Sequence, residues 1–375
     1  MFYRIKPLDT LFFRDGRPFT MGSDTWANLI FPPYPSTIYG AIRTWLIFER
    51  GSLRDFEDGR FEEELGRIIK DEKNNVKEIK KGNFKIKGPL IAINENLYFP
   101  IPNDLLKEKD STTEEKNCLF QINITQKPKI FISDYDLEDV LINKSDFELD
   151  EAEGFLDIAG LIDYLKGKEV VLQLTKKDEV FERELKTGIK RSSKTLTSEE
   201  NYLYRIPMIR LKREASLFIQ IEGLNSYPDQ GLIQLGGESK TVQIERYNVD
   251  LLESLKNLSF EFKNKIFKLY LATHVIFENG WLPKWIDKTS YVGNFKGIEL
   301  KLISSVIGKY NLIGGWDLAN QRPKPMYKAV PAGSIYYFKI LDDTNPEKIK
   351  ETFHFKNISD INPEEGFGLS LIGEV

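Results

Sequence analysis

The sequence predicts an α+β protein of two domains, and three observations carry that reading. The chain has 375 residues, long enough for two cores. Near its start, Ile38, Ala41, Ile42, Trp45 and Leu46 fall at i, i+3, i+4, i+7 and i+8, so they share one face of a helix. Short alternating or β-branched runs, bounded by Gly, Asn and Pro, occur in both halves and read as antiparallel hairpins. Helices mixed with antiparallel strands define the α+β class.

Met1–Pro7 is expected as the first strand, with Phe2 and Ile5 among charges. Leu11, Phe12 and Phe13 are apolar, and the loop after them carries Arg14, Asp15, Gly16 and Arg17. Pro32, Pro33 and Pro35 make a stiff step into the helix, with Ser36 expected as its N-cap and Gly51 as its stop. Leu53–Lys81 is densely charged and reads as a helical surface insertion, with Phe61, Leu65, Ile68 and Ile69 in one stripe. Phe84–Ile93 and Asn96–Pro100 read as a hairpin, Asn103–Asn117 as a polar loop, Phe131–Leu165 as short helices and Val170–Leu174 as a buried strand. Phe181–Ile189 and Tyr202–Lys212 flank the polar tip Lys190–Glu200, which reads as a long hairpin. Further on, Ser216–Glu222, Leu235–Glu245, Leu271–Phe277 and Gly333–Leu341 are expected strands. Phe260–Tyr270 is amphipathic, with Phe262, Ile266, Phe267 and Tyr270 on one face. Asn362–Val375 closes the chain with a glycine turn and the apolar run Leu369–Ile372.

The single cysteine, Cys118, can form neither an internal disulfide nor a zinc-binding cysteine cluster, so a reducing, cytoplasmic setting is expected. The start MFYRIKPLDT lacks the apolar run of a secretory signal, and no stretch is apolar enough for a membrane span. The formal net charge of −4 argues against nucleic acid only if charge is spread evenly. It is not: Lys186–Arg213 holds eight basic and two acidic residues, and Leu318–Lys339 holds four basic residues and no acid. Asp134–Asp157 holds ten acids against Lys144 alone and reads as a solvated face or one turned to a basic partner, away from RNA.

Chemistry-bearing motifs are few. His274 and His354 both sit in apolar contexts, where packing is the ordinary role, and there is no phosphate-binding P-loop, Ser–His–Asp set or zinc signature. Lys190, Arg191 and Lys194 lie among serines and threonines at the hairpin tip, the residue types that contact phosphates. Tyr202 and Tyr204 beside them suit base stacking or sheet packing. Gly366, Gly368 and Gly373 permit close backbone approach and an anion nest, although a hairpin turn is the commoner meaning of such glycines.

Two early segments, RDGRPF (Arg14–Phe19) and FPPYPSTIYGAIRT (Phe31–Thr44), resemble the amino-terminal signature of a known family. That family is the Cmr-type RAMP subunit that pairs with the large polymerase-like subunit in type III-B CRISPR complexes. LKTGIKRSSKTLTSEENYLY (Leu185–Tyr204), LGGESKTVQIE (Leu235–Glu245), GGWDLANQRPKPMYKAVPAGSIYYF (Gly314–Phe338) and GFGLSLIG (Gly366–Gly373) fit it in order. The resemblance implies two ferredoxin-like, RNA-recognition-like modules with insertions, expected over 1–213 and 214–375. It implies a non-catalytic subunit of an antiviral effector that holds the 5′ repeat-derived handle of the guide RNA. The partners it implies are the large subunit and a neighbouring RAMP backbone subunit, with no cofactor. The RNA-binding residues expected on this basis are Arg14, Arg17, Lys190, Arg191, Lys194, Arg205, Arg322, Lys324 and Lys328, with Gly366, Gly368 and Gly373 forming the family's glycine-rich loop. A guide-processing endoribonuclease of the same superfamily and a protein-only scaffold are the alternatives.

Overall fold

The computed structural model describes residues 1–15, 29–71, 76–109, 118–129, 131, 133, 135–143, 146, 148–168, 172–191, 194–195, 197–317 and 320–375. Contacts divide the chain into two discontinuous units. One comprises Met1–Asn94, Val180–Val249 and Leu312–Tyr327, the other Glu95–Glu179, Asp250–Asn311 and Lys328–Val375. The expected division between residues 213 and 214 does not match these units. Ala215–Glu222, placed by sequence in the second domain, pairs antiparallel with Phe2–Ile5 of the first.

In the first unit five antiparallel strands run in the order Lys85–Ile93, Ala215–Glu222, Phe2–Pro7, Thr241–Tyr247, Gln230–Gln234. Tyr3 and Ile5 alternate inward and are fully buried. The helix Pro35–Arg50 covers that face with Ile38, Tyr39, Ile42, Trp45, Leu46 and Ile47. The Trp45 ring meets Tyr3 edge-on at 6.1 Å. Trp45 also packs where Gly231 leaves room, since a Cβ there would lie 2.4 Å from the indole nitrogen. Pro35, not Ser36, opens the helix: Tyr34 is the N-cap, and its side chain makes no capping bond. Proline's fixed φ and missing N–H suit the first helical position, which leaves Ser36 already inside.

The charged insertion is not one helix. It forms the short helices Leu53–Glu57 and Glu62–Leu65, then a hairpin of Arg67–Lys70 with Val76–Lys80. Gly59 and Gly66, at φ 81° and 75°, interrupt the helical stripe. The long hairpin forms as expected, Phe181–Arg191 against Ser198–Leu211. Its base is anchored where Ile206 and Met208 pack on Phe12 and Leu29. Leu235–Glu245 is a strand pair's turn and second strand rather than one strand, because Gly236 takes a positive φ of 78°.

In the second unit six antiparallel strands run Val292–Phe295, Ile298–Val306, Ile335–Ile340, Ile266–Leu271, Leu369–Gly373, Lys356–Asn357. The amphipathic segment Phe260–Tyr270 is therefore not a helix. Asn264 and Lys265 adopt positive φ, which stops helix propagation, and Ile266–Leu271 continues as the central strand. The helix Pro346–Phe353 is capped by Asn345, which accepts from the Lys348 N–H at 2.9 Å. It buries Ile349 and Phe353 against a cluster of Phe267, Trp285 and Phe295. The helix Ile158–Leu165 supplies the buried Tyr164. Among the described residues no helix is long and apolar enough to cross a membrane.

Candidate nucleic-acid interface

Each expected site residue has a definite place or falls outside the description. Arg17 lies outside the described residues, and the side chains of Lys190 and Arg191 are not described, although both belong to the strand Phe181–Arg191. Lys194 is exposed in the turn beyond that strand.

The first unit holds the larger share of the remaining cations, and its electrostatics differ from the linear charge count. Lys186 pairs with Glu238 at 2.8 Å, Lys212 with Glu182, and Arg210 with both Glu184 and Asp9. Glu182 and Glu184 lie just before the basic stretch in sequence but on the strand opposite Arg210 and Leu211, next to Lys212. Part of the basic excess is thus neutralised at the hairpin base. Asp9 gathers Lys240 as well, at 2.9 Å, and this hydrogen bond holds its carboxyl down to about 2.

Arg14, Arg205, Arg322 and Lys324 are exposed and have no acidic partner among the described residues. Arg205 stands opposite Thr187 in the hairpin ladder, beyond the neutralised base. Arg322 lies in a small ribbon, Trp316–Asp317 against Arg322–Pro323, and Lys324 follows it. The Lys324 N–H donates to the Gly315 carbonyl at 2.9 Å, which holds the ribbon closed. Trp316 is 53% exposed beside these cations, an arrangement suited to stacking and phosphate contact together.

Lys328 belongs to the second unit. Its ammonium sits over the Tyr310 ring at 4.9 Å, in the wall of a cavity of about 740 Å³ also lined by Tyr135, Trp281 and Lys309. Nothing in the sequence brings these side chains together, because they come from four separate segments.

The glycine-rich loop is buried. Gly366 and Gly368 take φ values of 99° and 72°. The Gly368 N–H donates to the His274 carbonyl at 2.7 Å, the Gly366 N–H to the Pro363 carbonyl at 3.2 Å, and the Leu369 N–H to Thr273 Oγ1 at 2.9 Å. A Cβ on Gly368 would lie 2.7 Å from the Ser359 nitrogen, and one on Gly373 would lie 2.9 Å from the Leu165 carbonyl oxygen. These three N–H groups are spent inside the unit, and Gly368 and Gly373 allow close packing.

Both histidines are structural in setting. His354 accepts from the Ile372 N–H at Nδ1 and donates from Nε2 to the Leu255 carbonyl at 2.9 Å, which fixes the neutral tautomer. His274 Nε2 meets the Asn311 amide at 2.8 Å. Burial pushes both imidazoles down to about 4.

A comparison with curated proteins finds no match. Among solved structures, the chain is similar to one in a cryo-EM structure of type III-B Cmr-beta bound to cognate target RNA and AMPPnP. The identity is 18%, the TM-score 0.51, and the match covers 90% of this chain and 86% of that one. A second structure, of Cmr-beta bound to cognate target RNA, matches at 19% identity and TM-score 0.48 over the same shares. A crystal structure of the Csm3–Csm4 subcomplex of the type III-A interference complex matches at 14% and 0.36, over 92% of this chain and 94% of that one. The sequence also matches the family model of the CRISPR-associated protein Cmr3 over residues 3–375, and the chain belongs to that family.

Proposed function

We propose that this chain is a non-catalytic RNA-binding subunit of a type III-B CRISPR effector complex. In this reading it holds the 5′ repeat-derived handle of the guide RNA and sits beside the large polymerase-like subunit and a RAMP backbone subunit. The observation that carries it is family membership over almost the whole chain, joined to exposed cations at Arg14, Arg205, Arg322 and Lys324 that have no acidic partner among the described residues. Phosphate contacts from such residues position a strand without reading its sequence.

Each unit is read as a ferredoxin-like module. In the first, Ala215–Glu222 lies between Phe2–Pro7 and Lys85–Ile93, and Thr241–Tyr247 lies on the far side of Phe2–Pro7. In the second, Ile335–Ile340 lies between Ile266–Leu271 and Ile298–Val306, and Leu369–Gly373 lies beyond Ile266–Leu271. That is one strand order repeated, with the first crossover helix kept in one unit and the second in the other. The absence of a catalytic role is supported by the two histidines, each bonded inside its unit.

The test is the triple variant Lys190→Ala, Arg191→Ala, Lys194→Ala, with Arg205→Ala added in a second variant. Both should fold normally, because exposed substitutions change stability by only about half a kcal/mol. Affinity for handle-containing RNA should fall, and the salt slope should flatten by roughly one unit per lost contact. Unchanged affinity and slope in a folded variant would remove the hairpin from the RNA site. Cleavage of repeat RNA by the purified chain would replace this reading with the endoribonuclease one.

A further inference from the structure

The cavity in the second unit brings aromatic rings and uncommitted cations to one place. Its volume of about 740 Å³ falls within the range of small-molecule sites. Asp139, Val140 and Leu141 line it from the hairpin of Asn123–Gln126 with Asp139–Ile142, and the run Ser304–Tyr310 lines it from the sheet. An ion pair between Lys301 and Glu138, at 2.6 Å, fastens the hairpin region to the strand Ile298–Val306. That strand shifts register against Ile335–Ile340 between Leu302 and Ser304, just where it begins to line the cavity. Such bulges re-aim side chains and are common beside functional sites.

Five aromatic side chains are strongly exposed among the described residues: Phe48, Phe131, Tyr135, Tyr310 and Trp316. Three of them, Phe131, Tyr135 and Tyr310, line this one cavity, and clustered exposed apolar surface marks a binding site more than scattered residues do. Trp281 joins them and is held in place. Its carbonyl accepts from the Tyr336 hydroxyl at 2.6 Å, and its ring meets Tyr135 edge-on at 5.1 Å. Three lysines share the lining with one acid, Asp139. Lys127 is held by Asp136 at 3.2 Å, whereas Lys309 and Lys328 are exposed and have no acidic partner among the described residues. Lys328 keeps its ammonium beside an aromatic face, 4.9 Å from the centroid of Tyr310.

An apolar side chain would leave both free ammoniums unused, and a bare phosphate would leave the rings unused. A nucleobase carrying its phosphate uses both, because a base stacks on aromatic faces and a phosphate pairs with lysine. We propose that this cavity is a nucleotide site, in which Tyr135, Trp281 and Tyr310 receive the base and Lys309 and Lys328 the phosphate. The ligand is a free nucleotide or one unstacked residue of an RNA strand. This goes beyond the handle reading, because one nucleotide fills the site and neither the hairpin nor a partner subunit is needed.

The experiment titrates the purified full chain with AMP, UMP, adenosine and inorganic phosphate by calorimetry, and repeats the AMP titration with a short oligoadenylate as competitor. AMP should bind saturably at millimolar concentration or below, more tightly than adenosine or phosphate. Tyr310→Ala and Lys328→Ala should each weaken it about tenfold, as loss of a stacking ring or a charged contact does. Tyr310→Phe, which keeps the ring, should retain binding, and so should Lys288→Ala, a change to an exposed cation outside the cavity. Tyr310 and Lys328 are exposed, so their variants should fold, and circular dichroism checks that they do. Oligoadenylate that displaces AMP and binds more tightly makes the ligand a residue of an RNA strand. Oligoadenylate that fails to displace it makes the ligand a free nucleotide. No saturable binding of AMP or UMP, or equal binding by wild type and Tyr310→Ala, would overturn the proposal. An acidic, aromatic peptide that binds where nucleotides do not would also overturn it and give the cavity to a protein partner. Each of these failures leaves the subunit reading intact, and a chain that joins no effector complex yet binds AMP would separate the two the other way.

Discussion

Gly368→Ala separates two physical roles for the glycine-rich loop. The residue sits at φ 72°, where an L side chain costs about 1–2 kcal/mol. Its new Cβ would stand 2.7 Å from the Ser359 nitrogen and 2.9 Å from Val275 Cγ2. The backbone atom cannot swing away as a flexible side chain would, and overpacking of this kind adds about 1–3 kcal/mol. The total loss is about 2–5 kcal/mol, or roughly 5–15 °C in Tm for a unit of this size. Gly297→Ala is the control: its φ is 82°, but nothing lies within 4 Å of the added methyl, so it should lose only the conformational part. Thermal unfolding of the two variants beside the wild type measures the difference directly. If the loop N–H groups are spent internally, folded Gly368→Ala should bind RNA as the wild type does. Equal stability of the two variants, with RNA affinity lost only in Gly368→Ala, would refute the packing argument and restore an anion nest.

Three further outcomes follow from the charges. Asp9→Asn should release Lys240 and Arg210 from their shared carboxylate, so RNA affinity should rise and the salt slope steepen by up to about one unit in filter binding. Lys268, fully buried with its Nζ 3.5 Å from the Tyr164 ring centroid, is pushed by burial from 10.5 to about 8. The unfolded chain holds that proton more tightly, so wild-type stability should rise with pH between 8 and 10.5. Lys268→Met should lack that rise, and the two urea-denaturation curves should converge or diverge by about 3 kcal/mol across the window. A parallel pH course for both would mean that Lys268 binds its proton as tightly in the folded chain as in the unfolded one, as a hydrated ammonium would. Burial lowers His354 from 6.5 to about 4, so the stability it contributes is present above 6.5 and lost as pH falls through that window. His354→Gln, which keeps a donor for the Leu255 carbonyl, should show acid unfolding shallower by about one proton.

Much of the local structure was legible in the sequence. The helix ending at Gly51, the hairpin from Phe181 to Leu211 and the strand Ile335–Ile340 follow from the spacing of consecutive residues. The ordered motifs from Arg14 to Gly373 pointed to the Cmr3 family before any contact was known. Phe260–Tyr270 misled because a short apolar run fits a helix face and a buried strand equally well, and two positive-φ residues decided between them. What the sequence could not supply was partnership. Ala215–Glu222 reads as a strand wherever it pairs, yet its partners Phe2–Ile5 and Lys85–Ile93 come from far earlier in the chain. A count of charge along the chain made the hairpin strongly basic, while Glu182, Glu184 and Glu238 cancel much of it from other strands and turns. Glycines that permit an anion nest instead donate inward, because Thr273 and His274 lie against them. Periodicity belongs to neighbours in sequence, whereas neutralisation, satisfied N–H groups and a cavity wall belong to neighbours in space, and only the tertiary structure decides those.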